Sequence, residues 1–184
     1  LADRRGDISG TAVFAGMEGT RPVLIEIQAL VAPSMLATPR RAVLGWDSSR
    51  LAMVIAVLEA RAGIKLSGND IYLNVAGGLR ISEPAADLAV AAALVSSFTG
   101  HAVPENLVVF GELGLSGEVR PVSQAETRLK EAGKLGFERA LMPSRYGGRM
   151  PIVDRVKRTE INDVHGLTAM FSKEIRGRTQ MKVN

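Results

Sequence analysis

Cysteine is absent from this 184-residue chain. That excludes disulfides, thiolate zinc sites and a cysteine nucleophile. Aromatic residues make up only 4%, so the core is aliphatic, and base stacking cannot dominate any contact with nucleic acid. No apolar run reaches the ~18 uncharged residues of a membrane span, and the opening "LADRRGDISG" lacks the apolar segment of a signal peptide. The start at Leu1 without a methionine implies a fragment of a longer or processed protein. There are two histidines, His101 after Gly100 and His165 before Gly166. Neither has partners at metal-ligand spacing, so both read as turn or cap residues and no metal site is expected. Neither G-x-x-x-x-G-K-[ST] nor G-x-S-x-G occurs, so the chain shows no phosphate-binding loop and no nucleophile elbow.

What is present reads as an α/β (α+β) domain, with helices packed on mixed sheets. Val13 and Phe14 precede the turn Gly16-Met17-Glu18-Gly19, and Val23, Ile25 and Ile27 alternate after it. This pattern predicts two strands around a hairpin. "PRRAVLGW" reads as a third strand and "DIYLNVAGG" as another. Between them lies a helix capped by Ser48 or Ser49 and ended by Gly63. Residues 83–99 form the next helix, closed by Gly100. "LVVFGELGLSGEVRPV" is a buried strand with a hairpin at Ser116-Gly117. Ala125, Leu129, Ala132 and Leu135 define the apolar stripe of an amphipathic helix. "FERALMP" is a strand, and "TEINDVHGLTAMFSKEI" gives a last strand and helix. Trp46, the single tryptophan, suits a core position or a partly exposed contact equally.

The segment "RISEPAADLAVAAALVSS", Arg80 to Ser97, reads as a strand-to-helix corner. Ser82 suits an N-cap, Pro84 a first turn, and Asp87 the positive end of the helix dipole. The first turn has no nucleophile: it holds Pro84, Ala85 and Ala86.

Charge is unevenly placed. Residues 1–119 carry 9 Lys+Arg against 12 Asp+Glu, residues 120–158 carry 10 against 4, and the remainder 4 against 3. A basic segment attracts polyanions, although solvated helix faces give the same count.

"NVAGGLRISEPAADLAVAAALVSSFTG", "VVFGELGLSGEVRPV" and "RLKEAGKLGFERALMP" resemble the proteolytic domain of Lon proteases. With "GTAVFAGMEGTRPVLIEIQALV" and "TPRRAVLGWDSSRL", the chain looks still more like the C-terminal Lon-protease-like domain of the RadA (Sms) family of bacterial DNA repair proteins. The resemblance implies a lead-in from an ATPase domain over residues 1–9, a Lon-like domain over 10–176 and a flexible basic tail over 177–184. In active Lon domains a serine at the helix start is the nucleophile and a lysine after the hairpin is the base. Here the resemblance places Ala85 and Glu126 at those positions, which implies no catalytic dyad. A dyad displaced to Ser82 and Lys130 is the peptidase alternative.

The resemblance further implies that the fragment is not itself an enzyme, although the full-length family is a DNA-dependent ATPase and helicase. No cofactor is expected in the fragment. ATP, magnesium and zinc are implied for domains outside it. The implied roles are assembly into a homohexameric ring and sequence-independent binding of single-stranded or branched DNA. A recombinase partner, a bacterial cytoplasmic, nucleoid-associated location and no membrane contact go with them. The candidate DNA contacts are Arg40, Arg41, Arg50, Arg80, Arg120, Arg128, Lys130, Lys134 and Arg145, with Arg149 in the same basic segment. A protein-interaction module without DNA contact is the alternative reading.

Overall fold

The computed structural model describes residues 8–144, 146, 153 and 155–172. The N-terminal lead-in up to residue 7, Arg145, Arg149 and the tail 177–184 lie outside the described residues. The described chain is a single α/β domain, as the sequence pattern predicts. Its strands are β1 (Thr11–Glu18), β2 (Arg21–Pro33), β3 (Arg41–Leu44), β4 (Asn69–Val75), β5 (Leu107–Val109), β6 (Glu112–Leu113), β7 (Val119–Arg120), β8 (Arg139–Pro143) and β9 (Lys157–Ile161). Its helices are α1 (Ser48–Ala62), α2 (Asp87–Thr99), α3 (Ala125–Lys134) and α4 (Val164–Thr168). Seven strands form one mixed sheet in the order β3-β4-β2-β1-β5-β8-β9, and β6 and β7 pair separately. Within the large sheet only β2 runs against the others. The carboxyl ends of β3, β4, β1, β5, β8 and β9 therefore share one edge.

The hairpin between β1 and β2 turns at Gly19-Thr20, where Gly19 takes a left-handed φ of 63°. Helix α2 lies at the centre. Almost all of Asp87–Thr99 is buried, because its small side chains let the helix approach β1 and β2 closely. Two serines stitch that contact. Ser96 Oγ accepts the Gly10 N–H at 2.8 Å, and Ser97 Oγ accepts the Val31 N–H at 2.9 Å. Trp46 is buried and belongs to the core.

Several local expectations need correction. The cap of α1 is Asp47, whose carboxylate accepts the Ser49 and Arg50 N–H groups; a carboxylate adds charge to the capping bond at the positive end of the dipole. Gly63 closes α1 in the left-handed conformation as expected. Ser82 caps nothing: residues Pro84–Ala86 form a 3₁₀ turn ahead of α2, and neither that turn nor α2 has a side-chain cap. Leu135 falls past the end of α3 and is 54% exposed, so the buried stripe stops at Ala132.

Candidate functional site

The corner stands at the shared carboxyl edge of the sheet, where open α/β sheets hold their ligands. Val75 ends β4, and the chain turns through Gly77 and Gly78, both at positive φ, into the extended stretch before Pro84. The Ile81 N–H donates to the Gly45 carbonyl at 2.9 Å, which ties this stretch to the end of β3. The Gly111 N–H donates to the Ala85 carbonyl at 2.8 Å, and the Leu88 N–H to the Gly111 carbonyl at 3.0 Å, which ties the turn to the chain after β5. A groove of about 420 Å³ opens between the β1–β2 hairpin and residues 78–83, with Phe14, Val23, Ile25 and Ile81 as apolar lining and Ser82 and Glu83 on its wall.

Both carboxylates of "EPAAD" are clamped by a guanidinium from another element. On one side, Arg128 of α3 holds Glu83 through two bonds, Nη1 to Oε1 at 3.0 Å and Nη2 to Oε2 at 2.8 Å. The Arg128 side chain is 1% exposed. It also donates from Nη1 to the Ala15 carbonyl at 2.8 Å and from Nε to the Ser123 carbonyl at 3.0 Å. The guanidinium carbon lies 6.0 Å from the Phe14 ring centre and 5.8 Å from that of Phe110, within cation–π range of both. Glu83 Oε1 in turn accepts the Met17 N–H at 2.7 Å. Carboxylate and guanidinium thus join β1, the corner and α3 at one point.

On the other side, Arg50 of α1 binds Asp87 through Nε at 2.8 Å and through Nη2, and Asp87 also accepts the buried Leu113 N–H at 3.0 Å. Burial pushes the Asp87 carboxyl above its ordinary value, against the lowering pull of Arg50 and the Leu113 N–H. The hydrogen bond to Asp87 raises Arg50, against a lowering by burial. Because the folded value of Asp87 lies above the unfolded one, the folded chain holds that proton more tightly. The resulting stability is full below the unfolded value and is lost as pH rises through the folded one. Asp87→Asn is therefore expected to cost less stability at pH 7 than at pH 4, read by urea unfolding at both. A larger cost at pH 7 would show that the ion pair outweighs the burial.

These contacts change the reading of the dyad positions. Ala85 is buried and presents only a methyl group. Glu126 does not face the corner; it pairs with Lys130 one turn along α3 at 2.7 Å, with both side chains largely in solvent. The α3 side chain that reaches the corner is Arg128. A guanidinium stays protonated at any physiological pH and cannot serve as a general base. Lys130 is two residues further on, roughly 200° around the helix, so the displaced pair of exposed Ser82 and Lys130 does not form. Ser82 stands at this corner, and Lys130 is turned away from it toward Glu126.

The candidate nucleic-acid contacts do not share one surface. Arg128 is withdrawn by burial and Arg50 by its bond to Asp87. Arg120 pairs with Glu118, and Lys130 with Glu126. Arg40 and Arg41 are exposed at the start of β3, at the amino edge of the sheet. Arg80 is exposed at the carboxyl edge, the length of β3 away. Lys134 is exposed at the end of α3. Among the described residues no group of three or more His, Cys, Asp or Glu could hold a metal ion, and no helix is long and apolar enough to cross a membrane.

The family described as subunit ChlI of Mg-chelatase matches residues 33–146, a span that runs from the end of β2 through the corner and beyond α3 and β8. The chain belongs to that family. The match corrects the expectation that the fragment is not an enzyme. Residues 33–146 resemble a subunit of an enzyme, Mg-chelatase, and the RadA relatives extend across the same span. The DNA repair protein RadA of Brucella abortus is 65% identical over 147 residues, 80% of this chain and 32% of that protein. RadA of Synechocystis is 53% identical over 148 residues, 80% of this chain and 29% of that protein. RadA of Haemophilus influenzae is 50% identical over 141 residues, 76% of this chain and 31% of that protein. The chain spans about a third of the length of these curated relatives.

Proposed function

We propose that this chain is the Lon-protease-like part of a RadA-type DNA repair ATPase, and that it assembles as a hexameric ring and binds DNA without sequence specificity. The observation that carries the reading is the identity with RadA proteins, 50–65% over three-quarters or more of the chain. The corner fits it: at the two positions where the Lon resemblance puts a nucleophile and a base stand the methyl group of Ala85 and the carboxylate of Glu126, which pairs with Lys130. The architecture is kept and peptide cleavage is not. DNA contact falls to the exposed cations, which meet phosphates and read no base edges.

Fluorescence anisotropy on single-stranded and branched DNA, combined with mass photometry, tests both parts. The expected results are a particle of six times the 19.6 kDa chain mass and an affinity that falls roughly tenfold or more between 50 and 200 mM salt, as release of several counterions requires. A monomer that ignores DNA at low salt overturns the proposal.

A further inference from the structure

The loop that joins β2 to β3, "PSMLATPR" from Pro33 to Arg40, presents two large apolar side chains to solvent. Met35 is 97% exposed and Leu36 is 48% exposed. The loop is not loosely held. The Ser34 N–H donates to the Gly68 carbonyl at 2.9 Å, the Leu36 N–H to Ser34 Oγ at 3.1 Å, and the Arg40 N–H to an Asp70 carboxylate oxygen at 2.7 Å. Exposing a methionine and a leucine at a fixed tip forfeits their burial, and a fixed apolar tip is a surface waiting for a partner.

Three cations surround its base. Arg40 and Arg41 follow the loop directly, and Lys65 belongs to the neighbouring loop that ends at Gly68; all three are exposed. None forms an ion pair among the described residues. Arg41 Nη1 bonds the carbonyls of Arg40 and Asn69, which leaves its other donors for a ligand. Two acids are near. The Asp70 carboxyl is held below its ordinary value, chiefly by the Arg40 N–H and then by Ser34, and Glu59 accepts the Ser67 N–H. Both accept backbone N–H groups of these same loops, and three cations against two carboxylates leave a net positive charge at the base of the tip.

An apolar Met-Leu tip ringed by cations has the chemistry of a wedge for stacked bases: the cations take the phosphates on either side while the side chains enter a base step. We propose that Met35 and Leu36 insert into DNA at a base step and that Arg40, Arg41 and Lys65 hold the flanking phosphates. This inference rests on the DNA-binding reading above and adds to it a place and a mode of contact. It also explains why a loop carries its apolar residues outward beside an arginine doublet.

Duplexes and forks carrying 2-aminopurine, titrated with this chain, report the insertion, because the probe brightens when its neighbours unstack. The expected result is a rise in 2-aminopurine emission with the unsubstituted chain. Met35→Ser with Leu36→Ser should abolish the rise while binding by anisotropy persists. Arg40→Ala with Arg41→Ala should lower the slope of log affinity against log salt by about two. Emission that does not change on binding, or that survives in the Met35→Ser/Leu36→Ser variant, overturns the wedge and leaves the DNA-binding reading standing. Absence of any DNA binding overturns both. Binding to phosphatidylserine vesicles in place of DNA assigns the tip to a lipid surface and likewise overturns the wedge. Circular dichroism of each variant confirms that the fold is intact, since all four substituted side chains are exposed.

Discussion

Arg128→Ala is expected to cost about 3–5 kcal/mol of unfolding free energy, because it leaves the Glu83 carboxylate without its partner in a mostly buried site. The loss is a large fraction of the roughly 5–15 kcal/mol that holds a domain of this kind. Four contacts go at once: two to Glu83, one to the Ala15 carbonyl and one to the Ser123 carbonyl. The space between Phe14 and Phe110 is emptied as well. Arg128→Lys keeps the charge but lacks the planar fork that meets both carboxylate oxygens, so an intermediate loss is expected. Pairing Arg128→Met with Glu83→Gln removes both charges together. That double variant should be more stable than the sum of its parts by about 0.5–3 kcal/mol. Urea unfolding of the four proteins reads the cycle. A cost under about 1 kcal/mol for Arg128→Ala, the range of a surface pair, would mean that the clamp is idle.

Gly45→Ala is the second large expectation, at about 2–4 kcal/mol from left-handed strain and a lost hydrogen bond together. Gly45 has φ of 86°, and a β-carbon there would stand 2.5 Å from the Leu79 carbonyl oxygen and 2.7 Å from Val75 Cβ. Two of those three constraints are backbone, so the alanine is accommodated only if residues 79–81 move away and the Ile81 N–H leaves the Gly45 carbonyl. Gly63→Ala separates the two causes. Gly63 is also left-handed, at φ of 68°, but nothing lies within 4 Å of its added carbon, so it should lose only about 1–2 kcal/mol. Equal losses at the two glycines would show that the crowding beside Leu79 carries no cost. Amide shifts of residues 79–83 should move in Gly45→Ala and stay in place in Gly63→Ala.

The two clamps hold the corner from both sides. Glu83 and Asp87 flank Ala85 on either side, and each receives a strand-end N–H as well as a guanidinium. The turn is therefore fixed by side-chain bonds from Glu83 and Asp87 and by the backbone carbonyl of Ala85. The side chain at position 85 takes no part in this frame.

Arg128 also shows where linear reading falls short. It stands three residues after Ala125 and four before Ala132, so it shares the buried stripe of α3 with them. That spacing was a signal for burial, and its charge masked it, because an arginine in an amphipathic helix is ordinarily solvated. Glu83, its partner, lies 45 residues away, beyond any local pattern.

The order of strands and helices can be read along the chain, since alternation of Val23, Ile25 and Ile27 and the 3.6-residue spacing of Ala125, Leu129 and Ala132 are local properties. The aliphatic core and the absence of thiol chemistry are equally legible, because these depend on residue identity alone. Which cations remain available to a ligand is set by packing between elements. Arg50, Arg120, Arg128 and Lys130 are each claimed by a carboxylate, Arg120 and Lys130 by near neighbours in sequence and Arg50 and Arg128 across elements in largely buried pairs, while Arg40, Arg41 and Arg80 stay exposed. The reason is physical: the energy of a charge is set by what surrounds it in space, and neighbours in space are chosen by the packing of β1, α1, α2 and α3 rather than by their spacing along the chain.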